Sequence, residues 1–294
     1  MQLLWVPVTL CCAFSLATSD ALTKKVLAAR HNEYLTAWVR LLLMVPPLAI
    51  LLLAIPLPTL KEGFLPTVLT ALPLELLALI LYFKALKSSP LGLTVPFLAL
   101  TPVFLIIIPY LLLGEQITLC GGTGIVLIAG GSYALNLRSR SSGVLAPLRS
   151  IFRERGSLYM IGVAVLYAFT STLAKKAING SSPLFFAGLY PILLFVCLTP
   201  IALWKGRHEL RLPVGKGIFR ATLLPALFSL GETILGFVAL GLTNVAYMIA
   251  VKRLSLLMGI IYGHLLFREK GFRERLVGGG LMVAGVALIV VGGS

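Results

Sequence analysis

The chain has 294 residues, of which 59% are hydrophobic and 12% are charged. Soluble proteins carry about 25% charged residues, and a globule of this size could not bury so much apolar surface, so the composition excludes a soluble protein and indicates several membrane spans. The formal net charge of +15 comes mostly from residues between the apolar runs, where they orient the chain and meet anionic lipid. We therefore expect the lipid bilayer as a partner and no nucleic acid.

Ten apolar runs, separated by glycine, proline or charged residues, are long enough to cross a bilayer as helices. They are apolar on every face, whereas the strands of a membrane barrel would be shorter and would alternate apolar and polar residues. The sequence predicts an all-α membrane protein with ten transmembrane helices, here called spans 1 to 10, at residues 3–22, 34–55, 64–86, 90–113, 117–135, 158–177, 184–204, 218–240, 244–267 and 276–292.

A polar, basic segment divides the chain near its midpoint, and the two halves beside it are related. We predict a first five-helix repeat at residues 1–135, a basic linker at 136–157 and a second repeat at 158–294. The halves align at an offset of 154 residues in spans 3 to 5 and of 151 residues in span 1, as in the pairs Glu115 and Glu269, Gly124 and Gly278, Gly131 and Gly285, and Lys24 and Lys175.

An odd number of spans per repeat has a geometric consequence. The second copy must enter the membrane from the opposite side, so it is inverted relative to the first. Inverted repeats serve alternating access, in which two nearly equivalent packings expose a site at the middle of the membrane to either side in turn. A transporter of a small-molecule substrate is therefore the leading hypothesis.

Basic residues are distributed unequally between the two membrane surfaces. Of the 25 Lys and Arg residues, 19 lie beside or after spans 1, 3, 5, 7 and 9, and three lie on the opposite side, namely Lys61, Lys175 and Lys176. Because basic residues favour the cytoplasmic side, the bias places both termini away from the cytoplasm. We expect a multi-pass protein of the bacterial cytoplasmic (inner) membrane.

Three ionisable residues of spans 8 and 9 are predicted to meet at the middle of the membrane. Glu232 and Arg253 are equally far from the tight turn near Leu242 and Thr243, so at 1.5 Å per residue each lies roughly 16 Å from it. Lys252 and Arg253 point about 100° apart, so one can pair with Glu232 while the other faces a cavity. Two cations against one acid favour an anionic substrate group, unless the three residues form a buried network that only joins the helices.

Two further acids join Glu232 as candidates for proton coupling. Glu75 in span 3 has no firm cationic partner, because Arg40 reaches it only if the helices slide, and a lone carboxyl group in low dielectric tends to keep its proton. A protonated Glu75 that only bonds to a neighbour is the alternative. Asp20, just ahead of Lys24 and Lys25, is more typical of an interfacial ion pair and is the third candidate.

Glycine and proline mark three of the predicted helices. Glycines in spans 5 and 10 allow close helix contact and suggest a homodimer seam. Pro96, Pro102 and Pro109 interrupt the hydrogen bonds of span 4 and are expected to kink it beside a cavity. The sequence has no metal-ligand spacing, nucleotide-binding loop or catalytic motif, so we expect no metal, no cofactor and no enzymatic activity.

The stretch from Thr101-Pro-Val-Phe104 through Tyr110-Leu-Leu-Leu-Gly-Glu115 to Gly131 resembles the EamA-type repeat of the drug/metabolite transporter (DMT) superfamily. The second copy, with Leu266-Phe-Arg-Glu-Lys270, resembles it less closely because Arg268 replaces a glycine. The resemblance implies two inverted five-helix repeats and a carrier, in a superfamily whose substrates range from amino acids and drugs to sugar phosphates and nucleotide sugars. It also implies cytoplasmic termini, against the charge count.

A narrower likeness concerns spans 6 and 9, which are similar to the plastid triose-phosphate translocators. In those proteins a Lys-Arg pair and a lysine of the sixth helix hold phosphate. The likeness implies an anion site here, although Glu232 would cancel part of its charge. The residues that carry it are Lys252, Arg253, Asn244 and one of Lys175 or Lys176.

These observations predict a secondary transporter that moves a small organic metabolite by alternating access. The substrate is expected to be anionic rather than cationic, with phosphorylated compounds among the candidates. Spans 3, 4, 8 and 9 are expected to line the cavity, with Glu75, Glu232, Lys252 and Arg253 as its site. The alternatives are an exporter of amino acids or cationic drugs and a flippase for lipid-linked substrates; the short loops disfavour a membrane-embedded enzyme.

Overall fold

The structure is a computed structural model that describes residues 3–29, 31–88, 95–135, 155–210, 214–267 and 276–292. Within these ranges it consists of helices and short connections, with no β-strand. The helices are α1 (Trp5–Ala28), α2 (Glu33–Ala54), α3 (Phe64–Ser88), a 3₁₀ segment (Val95–Leu100), α4 (Thr101–Leu113), α5 (Leu119–Leu135), α6 (Arg155–Asn179), α7 (Pro183–Leu210), α8 (Val214–Leu242), α9 (Val245–Lys252), α10 (Ser255–Phe267) and α11 (Leu276–Gly292).

The predicted all-α membrane fold is confirmed. Seven segments are long and apolar enough to cross a membrane: α1, α2, α3, α6, most of α7 and of α8, and α9 taken together with α10. Three shorter apolar helices, α4, α5 and α11, complete the ten predicted spans. Residues 136–154 of the predicted linker lie outside the described residues.

Local sequence sets the ends of several helices. The side chain of Asn32 caps α2 by accepting hydrogen bonds from the backbone N–H groups of Tyr34 and Leu35, at 2.9 and 3.2 Å. Gly114 ends α4 in the left-handed conformation, with φ of 69°, which glycine adopts without steric cost. The chain then turns into α5 within a few residues.

The two repeats pack as a pseudo-twofold pair, in which each span is equivalent to the span five places later. We call two equivalent spans, or two residues that the alignment of the repeats makes equivalent, mates. α1 packs against α8, and the mirrored contact joins α6 to α3. α2 packs against its own mate α7, and α5 packs against its mate α11. The contact of α1 with α10 is mirrored by that of α6 with α4. This exchange of partners is what an inverted repeat requires.

Glycines join α5 to α11 at the edge of the bundle. A Cβ atom placed on Gly124 would lie 2.6 Å from the carbonyl oxygen of Gly285, and one placed on Gly131 would lie 2.6 Å from that of Gly278. Gly124 is the mate of Gly278 and Gly131 that of Gly285, so the two contacts are one contact repeated. These glycine faces therefore meet within one chain, and a homodimer through the same helices, which stays a prediction, would need their outward faces. Outward-facing glycines with open space beside them are Gly122, Gly130 and Gly280.

Spans 4 and 9 are interrupted at the same point of the repeat. The 3₁₀ segment passes into α4 at Thr101, and α9 gives way to α10 at Ser255, which is the mate of Thr101. Pro96 and Pro102 flank the first break, as the sequence predicts, whereas no proline or glycine lies at the second. Discontinuous spans are tolerated in a membrane where they are buried in protein or line a cavity.

Candidate functional site

A cavity of about 200 Å³ lies inside the bundle. Its walls come from α1, α2 and α3 in the first repeat and from α6, α7, α8 and α9 in the second. The prediction that spans 3, 4, 8 and 9 line the cavity is therefore incomplete, because four more spans contribute and span 4 supplies Leu98 alone among the described residues. The prediction followed the charged residues, whereas the twofold packing brings four spans of each repeat to the cavity and leaves spans 5 and 10 at the edge.

Glu232 and Lys252 form an ion pair on the cavity wall. The Lys252 ammonium group donates a hydrogen bond to Glu232 Oε1, and the two side chains are 16% and 20% exposed, respectively. Counting from the turn between α8 and α9 predicts this shared depth, and the turn lies where expected, between Leu242 and Val245. The sequence left open whether Lys252 or Arg253 pairs with Glu232. In the structure Lys252 forms the pair, and Arg253 faces the cavity.

Arg253 lies at the break between α9 and α10 and is 3% exposed. Its backbone N–H donates to the carbonyl oxygens of Ile249 and Ala250 at 3.2 and 3.1 Å, so the helix tightens where the side chain enters the cavity wall. Within the described part of the chain, no hydrogen bond or ion pair involves its guanidinium group, and Nε is buried without a partner. Because arginine stays ionised in proteins, Arg253 is a buried positive charge without a described ion-pair partner, although the carboxyl groups of Asp20 and Glu232 are near enough to act on it electrostatically.

Asp20 is buried in the cavity wall, and among the described residues it does not form the expected interfacial ion pair. Tyr82 donates a hydrogen bond to its Oδ2 atom, while Oδ1 is buried without a hydrogen-bond partner in the part of the chain that the structure describes. The expectation was wrong because α1 continues to Ala28, so Asp20 lies two turns inside the helix. Lys24, by contrast, donates to the carbonyl oxygen of Leu86 at the end of α3.

Arg40 also reaches the cavity, from α2. Its guanidinium carbon lies 4.5 Å from the centroid of the Phe83 ring, a cation–π contact. It makes no ion pair with Glu75 among the described residues, and its Nε is buried without a partner. Arg40 therefore adds a second positive charge near Asp20 and Tyr82, on which it acts electrostatically.

Glu75 lines the cavity from α3, and Thr170 of α6 lines it close enough to interact with the carboxyl group. No ion pair involving Glu75 occurs in the described ranges. The mirrored position shows the same contact with different chemistry: Ser19 of α1 lies 2.7 Å, oxygen to oxygen, from Ser229 of α8, which is the mate of Glu75. A carboxyl group thus occurs at one of two equivalent places.

Three aromatic rings share the cavity wall with Glu75, and sequence reasoning missed them. Tyr167, Tyr190 and Phe237 line the cavity, and Glu75 acts electrostatically on both tyrosines. Tyr190 and Phe237 meet edge to face with centroids 6.4 Å apart, and the Tyr190 hydroxyl group is buried without a partner. The sequence offered little reason to select these residues, because aromatic residues are common in apolar spans. Only the alignment of the two repeats, in which Tyr167 is equivalent to Leu16, marks one of them as unusual.

Asn244 and Lys175, which the triose-phosphate likeness adds to the site, lie at one end of the bundle and not on the cavity wall. The Asn244 side chain donates to the carbonyl oxygen of Gln116 at 3.1 Å. Lys175 donates to the carbonyl oxygens of Leu240 and Thr243, at 2.7 and 3.0 Å, and so caps the end of α8. The exposed neighbour in α6 is Lys176.

Glu115, in the loop between α4 and α5, completes this end of the bundle. The backbone N–H of Val245 donates to its Oε2 atom at 2.9 Å, so the carboxylate caps the start of α9. Partial burial raises the pKa of Glu115, while the hydrogen bond from Val245 and the charge of Lys175 act in the opposite direction. The turn between α8 and α9 is therefore held by a lysine on one side and a glutamate on the other.

The cavity follows the twofold relation in position but not in chemistry. Many lining residues have mates that also line it, yet each charged residue faces an uncharged mate. Four of the six charged residues have mates that also line the cavity, in the pairs Asp20 and Ser171, Arg40 and Pro191, Glu75 and Ser229, and Lys252 and Leu98. The mates of Glu232 and Arg253 are Ala78 and Ala99. The charges therefore serve a role that the symmetric scaffold does not itself require.

Comparison with known proteins bears on the fold and the family. The sequence model of the EamA-like transporter family matches the chain twice, at residues 3–137 and 154–291. A solved structure, described only as a crystal structure of a protein, matches 97% of this chain and 96% of its own, with a TM-score of 0.65 and 16% identity, which shows the fold alone. No curated protein matches the sequence significantly. Two family matches over nearly the whole chain, on a bundle of mirrored repeats around a central cavity, show that the chain belongs to the EamA-like transporter family of the DMT superfamily.

Proposed function

We propose that the protein is a secondary active transporter that moves a small organic metabolite with an anionic group by alternating access. The observation that supports this most directly is Arg253, a buried cation on the cavity wall. A carboxylate or phosphate group bound there would receive charge-assisted hydrogen bonds. Phosphorylated metabolites are one candidate class, because the planar guanidinium group donates to two phosphate oxygens at once.

The neighbouring ion pair supports the assignment of Arg253. Glu232 already neutralises Lys252, so Lys252 has little charge to offer until its pair opens. Arg253 has no such partner within the described ranges. We therefore assign the first contact with the substrate anion to Arg253 and a secondary contact to Lys252.

The mirrored contacts support alternating access. Lys175 caps α8 at one end of the bundle, and Lys24 caps α3 at the other through the equivalent carbonyl group. Two nearly equivalent packings of the repeats would open the cavity to either side in turn. Asp20, Glu75 and Glu232 are the acids on the cavity wall and remain our candidates for proton coupling.

We further propose the bacterial cytoplasmic membrane as the location of the protein. The basic residues of the loops after spans 1, 3, 5, 7 and 9 would then lie at the cytoplasmic surface. Cysteine labelling of exposed loop positions from each side of sealed vesicles would test this orientation. Labelling of both termini from the cytoplasmic side would contradict it.

Uptake into liposomes tests the proposed function. The purified protein would be offered phosphorylated metabolites, carboxylates, amino acids and cationic dyes, with and without a pH gradient. For the compound that is transported, we expect Arg253→Gln to reduce uptake at least about thirtyfold, because a buried charge contact is lost. Lys87→Gln, which removes a surface ion pair with Glu33, is the control. Full uptake of an anionic substrate by Arg253→Gln would contradict the proposal.

A further inference from the structure

Two tyrosines fill one side of the central cavity. Tyr82 of α3 donates a hydrogen bond to Asp20 of α1, and its ring lies 6.3 Å, centroid to centroid, from the ring of Tyr167 in α6. Tyr82 is 4% exposed, and both tyrosines line the cavity. On this side, therefore, large side chains occupy the space where α1, α3 and α6 meet.

The mates of these two tyrosines are much smaller. Tyr82 is equivalent to Gly236 of α8, and Tyr167 is equivalent to Leu16 of α1. Both mates line the cavity. Because Asp20 is equivalent to Ser171, a tyrosine at position 236 would extend toward Ser171, whereas glycine places no side chain there.

The shape of the cavity follows this difference between the repeats. On the side of Gly236, three further residues line the cavity, while their mates, which the structure also describes, do not. The mates are at most 1% exposed. The pairs, with the lining residue first, are Ala174 and Thr23, Phe237 and Phe83, and Leu240 and Leu86. The cavity therefore extends further on the side of Gly236 than on the side of Tyr82.

Gly236 also lies beside the cationic residues of the site. A Cβ atom at this position would lie 3.8 Å from both Lys252 Nζ and Glu232 Oε1. Arg253, the next residue in the chain, lines the same cavity of about 200 Å³. In so small a space, an anion held by Arg253 has the surface at Gly236 within reach of its remaining atoms.

The wall around Gly236 suits an uncharged group. Apart from the Glu232–Lys252 pair, its side chains are apolar or carry a hydroxyl group. A second charge on the ligand would be costly there, because a buried charge needs a partner. The residues concerned are Leu16, Phe237 and Leu240, which are apolar, and Ser171 and Thr233, which carry the hydroxyl groups.

We infer that Gly236 sets the upper size of the transported anion, whose uncharged part lies against this glycine between Leu16 and Ser171. The inference rests on the proposed function, because Arg253 holds the anionic end. It adds a residue that determines specificity: the second repeat leaves room for the substrate where Tyr82 fills the first.

Close packing of α1 on α8 is the competing role of Gly236. These two helices pack against each other, and a Cβ atom at position 236 would lie 3.3 Å from Cys12 Sγ. A packing role predicts that a larger residue lowers stability and weakens the binding of all anions alike. A size-determining role predicts a loss of affinity that grows with the size of the anion.

A series of sulfonates distinguishes these roles. Methane-, propane- and benzenesulfonate share one ionised group, which accepts charge-assisted hydrogen bonds, and differ only in the uncharged part. The corresponding phosphonates form a second series. Dissociation constants would come from thermal-shift titrations of the purified protein in detergent, and inhibition of liposome uptake would be measured with the compound that is transported.

The measured quantity is the ratio of the dissociation constants for benzenesulfonate and methanesulfonate. Gly236→Val should raise this ratio about tenfold, because methyl groups take the space of the larger ligand, and Gly236→Ala should raise it less. Gly231→Ala, in the same helix, is the matched control. Its Cβ atom would make only an ordinary contact, 3.5 Å from Ser15 Oγ, so the ratio should not change.

Ser171→Leu covers the case in which the Gly236 variants do not fold. It narrows the same space from α6 and should also raise the ratio. An unchanged ratio in Gly236→Val and Ser171→Leu, whether affinity is kept or falls equally for all three sulfonates, would overturn the inference and leave the proposed function standing.

Two further outcomes separate the inference from the proposed function. If the parent transports an anion but binds none of the sulfonates or phosphonates, the inference is overturned, because the wall at Gly236 then accepts no uncharged group beside a compact anion. If no anion is bound or transported in a manner that depends on Arg253, the proposed function itself fails.

Discussion

The contact between α5 and α11 follows the twofold symmetry of the repeats, whereas the central cavity does not. At the seam, equivalent glycines make equivalent contacts, because a close approach of two backbones has the same requirement in both repeats. In the cavity, equivalent positions carry a charge on one side and a neutral residue on the other. Packing preserves the symmetry, while the charged residues of the cavity break it.

The largest expected effect comes from the asymmetric region. Lys252→Met leaves the partly buried Glu232 without its cation, and we expect a loss of about 3 kcal/mol in the free energy of unfolding, because its charge loses its ion-pair partner. The double variant Lys252→Met/Glu232→Met should regain most of that stability but not transport. Thermal unfolding in detergent measures the first effect, and liposome uptake the second.

The control for this cycle is the surface pair of Glu33 and Lys87, whose lysine is 40% exposed. Lys87→Met should cost less than about 1 kcal/mol, since solvent screens exposed pairs. A single Lys252→Met variant as stable as the parent would show that the pair contributes nothing to the fold. The asymmetry of the cavity would then need another explanation.

The next largest effect is expected at the symmetric contact between α5 and α11. Gly131→Ala and Gly285→Ala, which lie at equivalent positions of the two repeats, place a Cβ atom 2.6 Å from the carbonyl oxygens of Gly278 and Gly124, respectively, so α5 and α11 must move apart. We expect each variant to lose about 2 kcal/mol, and the two losses to be similar because the contacts are mirrored. Thermal unfolding of the purified variants provides the measurement.

Gly122→Ala is the matched control, because nothing lies within 4 Å of a Cβ atom at that position. Its effect should be neutral or slightly stabilising, since alanine is the better helix former. Two unequal losses at Gly131 and Gly285 would indicate that the seam is less symmetric than its backbone contacts.

How far the sequence predicts the molecule depends on the kind of interaction. Long apolar runs and the offset between the halves predict the ten spans and their inversion, because the bilayer leaves few alternatives. The depth of Glu232 and Lys252 follows from counting along helices on either side of a tight turn. The sequence could not place Asp20, because the end of α1 was predicted at residue 22 and lies at Ala28.

Contacts between distant helices were the second limit of sequence reasoning. Thr170 and Tyr190 join Glu75 at the cavity only through the packing of α6 and α7 around α3, and neither residue is unusual in an apolar span. Lys175 shows the same limit in a residue that the sequence did single out. The likeness to phosphate carriers makes it a ligand, yet the fold uses it to cap α8.

A third prediction separates these two roles of Lys175. Lys175→Met removes a charged donor from the carbonyl oxygens of Leu240 and Thr243, and we expect a loss of about 1.5 kcal/mol in stability. The KM for the substrate should change much less than in Arg253→Gln. Lys176→Met, at the exposed neighbouring position, serves as the control. An increase in KM as large as that of Arg253→Gln would return Lys175 to the binding site.

The smallest effect concerns Glu115, which caps α9 at the same end of the bundle. Glu115→Ala removes the acceptor for the Val245 N–H and should cost about 1 kcal/mol, whereas Glu115→Gln keeps an acceptor oxygen. Because burial raises the pKa of Glu115 above its ordinary value of 4.5, the folded state holds this proton more tightly than the unfolded state. The stability of the parent relative to Glu115→Gln should therefore fall as the pH rises through the window just above that value. Thermal unfolding of both proteins across this window measures the difference, and a difference that grows in favour of the parent would mean that the Val245 hydrogen bond and Lys175 outweigh burial at this carboxylate.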